Sequence, residues 1–460
     1  MSDPARPPSR LEAEVLLGGQ DADASRYLIC HRIASRLSAV PRDVERGPSP
    51  FVPGGTAVTT DSDVHDILDG LSDFVDAVVV PLEESNAGVL DDVRHRYAPD
   101  GAHAPEVRAL LRTVRERSAA AGYYGMFVPE AIGGGGLGAL ALYEAWKHLH
   151  ARYGPGRLLP YASVAHWSYA PSTLCTHLTE TAADRMLPAF MAGTTTSCFG
   201  MSEPDAGSDA MAMRTVARRD EGGWRITGTK QWITNSPEAD WVFVWAVTDP
   251  VRHRDRAGGI SCFLVPTSAP GFAVDSVITL FGSAGGYEGI ISFDDVLVPE
   301  DALVGELDHG FRLALEGVST GRLYNAGRCV GLAQWALDKA AAYATERRAF
   351  GRTIGDYQGV SFPLADCAVE IYAADAMARE TAGRVQAGLE AHHEVAMTKV
   401  FTTEMCSRVY ERCMQVHGGM GLTTEMRLYD GWHQARLVRI ADGSAEVLRR
   451  NIARRILPRR

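Results

Sequence analysis

The sequence predicts an α+β multidomain protein: an N-terminal helical domain, a middle β-barrel or sandwich, and a C-terminal four-helix bundle. Three observations predict it. Apolar residues recur every three or four positions from Asp61 to about Ala192. The period then drops to about two in β-branched and aromatic segments between residues 196 and 303. After Gly305 the helical period returns in long blocks. At 460 residues the chain exceeds one ordinary core, so it is divided into an arm (1–60), a helical domain (61–195), a β domain (196–303) and a helical bundle (304–460).

Taken in order, residues 1–60 mix proline-rich pieces (PARPPS, RGPSPFVPGG) with one amphipathic helix over 23–37. Val64, Ile67, Leu68, Leu71, Phe74, Val75 and Val78 then mark a helix that Pro81 is expected to end. A second helix over 105–121 leads into glycines at 132–138, and helical periodicity resumes to about Ala192. Four strands are legible: GWRITGTKQWITN, DWVFVWAVT, ISCFLVPT and GIISFDDVLVP. Helices follow at about 309–347, 358–388, 391–417 and 444–456. Before the last of them lies the tetrad Ala441, Asp442, Gly443, Ser444, a loop feeding a helix N-terminus. Asp442 and Ser444 are either helix caps or, in the case of Asp442, a reactive acid at the mouth of that helix.

Composition narrows the class. With 46 % hydrophobic and 22 % charged residues the chain is of ordinary globular type, and no apolar run approaches a membrane span. The N-terminus lacks an apolar signal core, which predicts a cytoplasmic protein. Eight cysteines are scattered without a CxxC pair, which predicts buried free thiols and neither disulfide nor metal. A net charge of −11 argues against nucleic-acid binding, although six of the last twelve residues are arginine.

Four stretches carry chemistry. CFGMSEPDAGSD (198–209) is followed by GTKQWITN (228–235); ERRAFGRTIGDYQGVSFPLAD spans 346–366; QVHGGMG spans 415–421; the tetrad is the fourth. In the first, Pro204, Gly207 and two serines form a turn whose N–H and hydroxyl groups suit an electron-rich heterocycle or a phosphate. Arg347, ahead of Phe350 and Gly351, offers a rigid guanidinium to a pyrophosphate. Singly, each also reads as ordinary structure: a β-turn, a core aromatic at Trp232, an exposed helix arginine, a helix terminator at Gly418 and Gly419.

In order, spacing and α–β–α layout these stretches resemble the acyl-CoA dehydrogenase family over about residues 61–456. The resemblance implies an FAD-dependent oxidoreductase that removes the α proton and β hydride of an acyl thioester. It implies that Phe199, Met201, Ser202, Gly207 and Ser208 line the flavin and pyrophosphate, that Trp232 flanks the ring, and that Ile233 and Thr234 face its N5 edge. Arg347, Phe350, Gln358, Gln415, Val416, His417, Gly418 and Gly419 would contact the ADP half of an FAD bound mainly by a neighbouring subunit. The protein would then be a homo-oligomer, a dimer or a tetramer. Ser444 and Glu446 complete the implied cofactor set, while Ser208, Arg322 and Gly443 are the implied substrate contacts. Asp442 is the implied base, and a separate acceptor such as an electron-transfer flavoprotein the implied partner.

The chemistry requires such an acid, because a hydride leaves the β carbon only if a carboxylate takes the α proton. Several positions depart from the family pattern. The usual base is glutamate, and aspartate retracts the carboxylate by about 1.5 Å. Gly321 supplies no alternative base, Ser319 stands where an acid often precedes Arg322, and residues 282–289 lack an arginine often present there. The substrate is therefore an acyl-CoA or a carrier-protein thioester. The alternatives are an oxidase or hydroxylase on the same scaffold, or a non-catalytic flavoprotein.

Overall fold

Helix and strand follow the two hydrophobic periods closely in the computed structural model, which describes residues 61–280 and 285–457. The arm, its expected helix over 23–37, and Cys30 lie outside the described residues. The chain forms two compact units. One contains Asp69–Gly136 and Leu159–Gly317; the other contains residues 61–68, Leu137–Leu158 and 318–457.

Pro81 does not end the opening helix. Asp61–Phe74 runs through a π-type turn, Val75–Val79, into a further helix, Val80–Ser85. The proline falls in the first turn of that last segment, directly after the π-type turn. Pro105–Ala120 is helical and buries Val107, Leu111, Val114 and Ser118. Continuous helix to Ala192 is likewise corrected. Helix Ala139–Tyr153 stops at Gly154, whose φ of +67° lies in the left-handed region. Two 3₁₀ turns, Leu159–Ser163 and Thr173–His177, precede the next helix, Glu180–Met191, because Pro155, Pro160 and Pro171 punctuate the stretch.

The sheet contains β1 (Ser197–Gly200), β2 (Val216–Asp220), β3 (Gly223–Thr234), β4 (Trp241–Val247), β5 (Ile260–Pro266), β6 (Phe272–Val277), β7 (Glu288–Pro299) and β8 (Leu303–Val304). Its order is β6-β7-β3-β2-β4-β5-β8, with β1 parallel to β4. The four strands read from sequence are β3, β4, β5 and β7. β4 and β5 are apolar at nearly every position because both faces are covered. Phe243, Trp245, Cys262 and Leu264 join one core with Met186 and Phe190. Val242, Val244, Phe263 and Val265 join a second with Ile226, Ile233 and Ile291.

The second unit is helical. Gly310–Glu346, which begins in the first unit, Gln358–Gln386, His392–His417 and Ala445–Ile456 match the expected blocks, and Leu428–Val438 is an additional helix. His392–His417 is buried on nearly all sides, among Cys329, Leu332, Cys367, Ile371 and Leu428. Gly431 is obligatory, since a Cβ there would lie 2.0 Å from the Tyr410 hydroxyl. Helix Ala139–Tyr153 belongs to this unit: the Tyr143 hydroxyl donates to Asp375 at 2.6 Å, Lys147 reaches the same carboxylate at 2.9 Å, and Glu144 pairs with Arg379. The arginine-rich end is partly paired, Arg449 binding Glu404 through two contacts of 2.7 Å. The seven cysteines among the described residues are free and buried. No helix among those residues is long and apolar enough to cross a membrane.

Candidate active site

The loop that follows β1 is tied to β3 by a buried ion pair. Lys230 is 0 % exposed, stands 2.8 Å from Glu203 and donates to the Met201 carbonyl at 3.1 Å. The Glu203 carboxylate also accepts the N–H groups of Arg214 at 2.6 Å and Thr215 at 2.9 Å. Burial pushes the Lys230 ammonium down to about 8 against the pull of Glu203. Burial acts upward on Glu203, but the Lys230 charge and the hydrogen bonds outweigh it and hold the carboxyl below its ordinary value. The Gln231 N–H donates to the Ser202 carbonyl at 2.9 Å. A register shift against β7 between Lys230 and Ile233 then turns the strand.

That bulge separates three neighbours. Lys230 and Ile233 point into the core, while Trp232, at φ +64°, stands 53 % exposed. The arrangement fits a flat aromatic ligand. An exposed indole is held by a strained backbone, and a Cβ at the exposed Gly207 would meet nothing within 4 Å, so no neighbour in the chain requires glycine there. Ser208 is exposed beside it; Met201, Ser202 and Thr234 are half-buried. The Phe199 ring packs between Trp167 and Trp245, with centroids at 5.4 and 4.1 Å, and is a core aromatic.

The implied ADP contacts cluster in the second unit. Arg347 and Phe350 are exposed on a small hairpin, β9 (Arg348–Ala349) with β10 (Arg352–Thr353), which leads to Gln358 at a helix start. Phe350 is 96 % exposed at φ +49°. His417 stacks on Tyr343 at 4.6 Å, which brings the end of His392–His417 beside the end of Gly310–Glu346. Gln415 is exposed, Val416 half-buried, and Gly418, at φ +58°, and Gly419 leave open space where a Cβ would project.

Asp442 lies in the turn between Leu428–Val438 and Ala445–Ile456. Of the two possible caps, only Ser444 is one: its hydroxyl accepts the Val447 N–H at 3.3 Å. Glu446 stands exposed in the first turn of that helix. The Asp442 carboxylate instead accepts the amide of buried Asn325 at 2.6 Å, and its backbone carbonyl accepts Arg322 Nε at 3.0 Å. Asp442 adopts φ +56° and Gly443 φ +90°, consecutive left-handed residues of which aspartate and glycine are the tolerant types. Although the residue as a whole is half-buried, its carboxyl is desolvated enough to be pushed up to about 6, with Lys399, Arg322, Asn325 and Arg328 pulling the other way.

Four residues here were not read from the sequence: Glu203, Lys230, Asn325 and Lys399. Lys399 is 0 % exposed and donates to the carbonyls of Gly443 at 2.8 Å and Arg439 at 3.3 Å. A lysine flanked by Val395, Ala396, Val400 and Thr403 on an apolar helix face was the available signal.

Residues 198–296 match the acyl-CoA dehydrogenase middle domain and residues 308–457 the acyl-CoA dehydrogenase C-terminal domain. A probable acyl-CoA dehydrogenase of Bacillus subtilis, YngJ, is 33 % identical over 369 residues, covering 80 % of this chain and 96 % of its own. The mitochondrial short-chain specific acyl-CoA dehydrogenase of Bos taurus is 34 % identical over 336 residues, 73 % of this chain and 80 % of that one. A glutaryl-CoA dehydrogenase from Mycobacterium smegmatis, solved in complex with FADH2, superposes with a TM-score of 0.72 at 25 % identity, covering 88 % of this chain and 97 % of that one. The chain belongs to the acyl-CoA dehydrogenase family of oxidoreductases.

Proposed function

We propose that the protein is an FAD-dependent dehydrogenase of acyl thioesters in which Asp442 abstracts the α proton. One observation carries this reading: a desolvated carboxylate, anchored by one neutral amide and titrating at about 6. A general base works best with a pKa near the operating pH, and burial supplies that here. Asn325 engages Oδ2, so Oδ1 is the oxygen assigned to the substrate proton. The relatives named for acyl-CoA dehydrogenation support the thioester class, and the Mycobacterium smegmatis complex supports the cofactor.

FAD, when bound, accepts the β hydride. Met201, Ser202, Gly207, Ser208, Trp232, Ile233 and Thr234 are the residues proposed to hold its ring. The cluster from Arg347 to Gly419 is proposed to hold the ADP half of the FAD of a neighbouring subunit. Phe350, with Phe362, Val369 and Tyr372 exposed along one side of Gln358–Gln386, supports self-association. An electron-transfer flavoprotein is the proposed acceptor.

The test is anaerobic flavin bleaching over a panel of CoA and carrier-protein thioesters. Because the protonated acid cannot act as base, the rate is expected to fall about tenfold per pH unit below about pH 6 and to be level above it. A rate independent of pH from 5 to 7 defeats the assignment. Cofactor released by heating is expected to be FAD; FMN would remove the adenine-side role of residues 347–419.

A further inference from the structure

Lys399 has no role in the chemistry described so far, yet it is wholly buried, on the central helix of its unit. Burial lowers its affinity for the proton, and its nearest hydrogen-bond partners are two main-chain carbonyls rather than a carboxylate. Those carbonyls, of Arg439 and Gly443, bracket Asp442. They converge because Asp442 and Gly443 are both left-handed, and the Ala445 N–H closes the same turn on the Arg439 carbonyl at 3.2 Å. The Arg439 carbonyl also ends the helix Leu428–Val438, where unpaired carbonyls and the helix dipole favour a cation.

We propose that Lys399 is a positioning residue for Asp442: its ammonium fastens both ends of the turn 439–443 and adds the positive field that keeps the carboxylate ionised. This rests on the reading of Asp442 as the base. Without the clamp the turn loses its ties at Arg439 and Gly443 and is left with those of Arg322 and Asn325 at Asp442, so the carboxylate is held less firmly relative to a bound acyl chain. Without the charge, fewer cations oppose desolvation. The charged and titratable groups around the pair are Arg322, Tyr324, Arg328 and Cys329 from Gly310–Glu346 and Glu446 from Ala445–Ile456. Arg322 and Arg328 still pull downward when Lys399 is neutralised, so the expected shift is partial.

The test uses the full-length, flavin-loaded enzyme with Lys399→Met and Lys399→Arg. Lys399→Met is expected to move the acid limb of flavin reduction up by about one pH unit and to lower the plateau rate about tenfold. The Asp442 carboxyl band in infrared difference spectra, assigned by its loss in Asp442→Asn, is expected to titrate at the same higher pH with no substrate present. Lys399→Arg keeps the charge but not the reach to both carbonyls, so its acid limb is expected at the wild-type pH with a several-fold lower plateau. A folded Lys399→Met with wild-type limb, band and plateau overturns the proposal. If Lys399→Met does not fold, a shifted limb or a wild-type plateau in Lys399→Arg does so. Wild-type flavin reduction by Asp442→Asn removes the base assignment instead, and the infrared titration still reports whether Lys399 acts on the carboxyl.

Discussion

Asp442→Asn is expected to lower the rate of flavin reduction by about 10²- to 10⁴-fold, the usual contribution of a general base, while the protein keeps its fold and its flavin. The amide is isosteric, tolerates the left-handed backbone, and can still accept the Asn325 hydrogen bond through its oxygen. Stability provides a second readout of opposite sign. The native carboxyl titrates at about 6 against an ordinary 3.8, so burying its charge opposes folding at neutral pH. A raised native pKa gives a stability contribution that is fully present below about 3.8 and is lost as the pH rises through about 6. Asp442→Asn escapes that loss and is expected to be more stable than wild type at pH 7, by up to about 3 kcal/mol, with the difference vanishing near pH 4. Stopped-flow bleaching and melting curves at the two pH values measure both effects; a variant that reduces its flavin at the wild-type rate ends the assignment. Asp442→Glu adds about 1.5 Å of reach. It is expected to retain activity on short straight acyl thioesters and to lose it on bulky ones.

The second large effect is expected at Lys230→Met, which leaves the buried Glu203 carboxylate of the flavin-motif loop with two main-chain donors and no counter-ion. Breaking a buried pair from one side costs about 3–5 kcal/mol, whereas neutralising both partners costs far less. Lys230→Met is therefore expected to melt well below wild type and to purify with substoichiometric flavin, because the Met201 carbonyl also loses its donor. Adding Glu203→Gln is expected to recover most of the stability. Equal melting temperatures for the single and double variants would show that the pair carries no such energy.

The layers of the fold were legible because each follows from a period: the helical repeats of 310–346, 358–386 and 392–417, and the β character of β3, β4, β5 and β7. What was illegible depends on neighbours distant in sequence. Nothing local marks β1, whose four residues are a strand only because β4 lies beside them in parallel. Pro81 misled because a π-type turn re-phases the chain just before it. At the site, the acid and the motif glycines were visible from residue type and spacing. Asn325, Lys399 and the Glu203–Lys230 pair were not, since a polar residue on an apolar face is distinguishable from a surface residue only once the face is known to be covered. The cap reading of Asp442 failed for a related reason: its left-handed backbone sends the carboxylate to Asn325, 117 residues earlier in the chain.

The placement of helix Ala139–Tyr153 with the C-terminal helices has a consequence for biosynthesis. Its tie to Asp375 spans 232 residues, so at a typical ribosomal speed of 5–20 residues per second the helix waits about 10 to 50 s for its partner to be made. Until residues 318–346 of the same unit emerge, bringing the Tyr324 ring edge-on to Trp146 at 4.6 Å, Leu142, Ala145, Trp146 and Leu149, which end up buried, lack that cover. The nascent chain therefore carries a waiting apolar surface on the ribosome, one that chaperones would be expected to shield until the last third of the protein emerges.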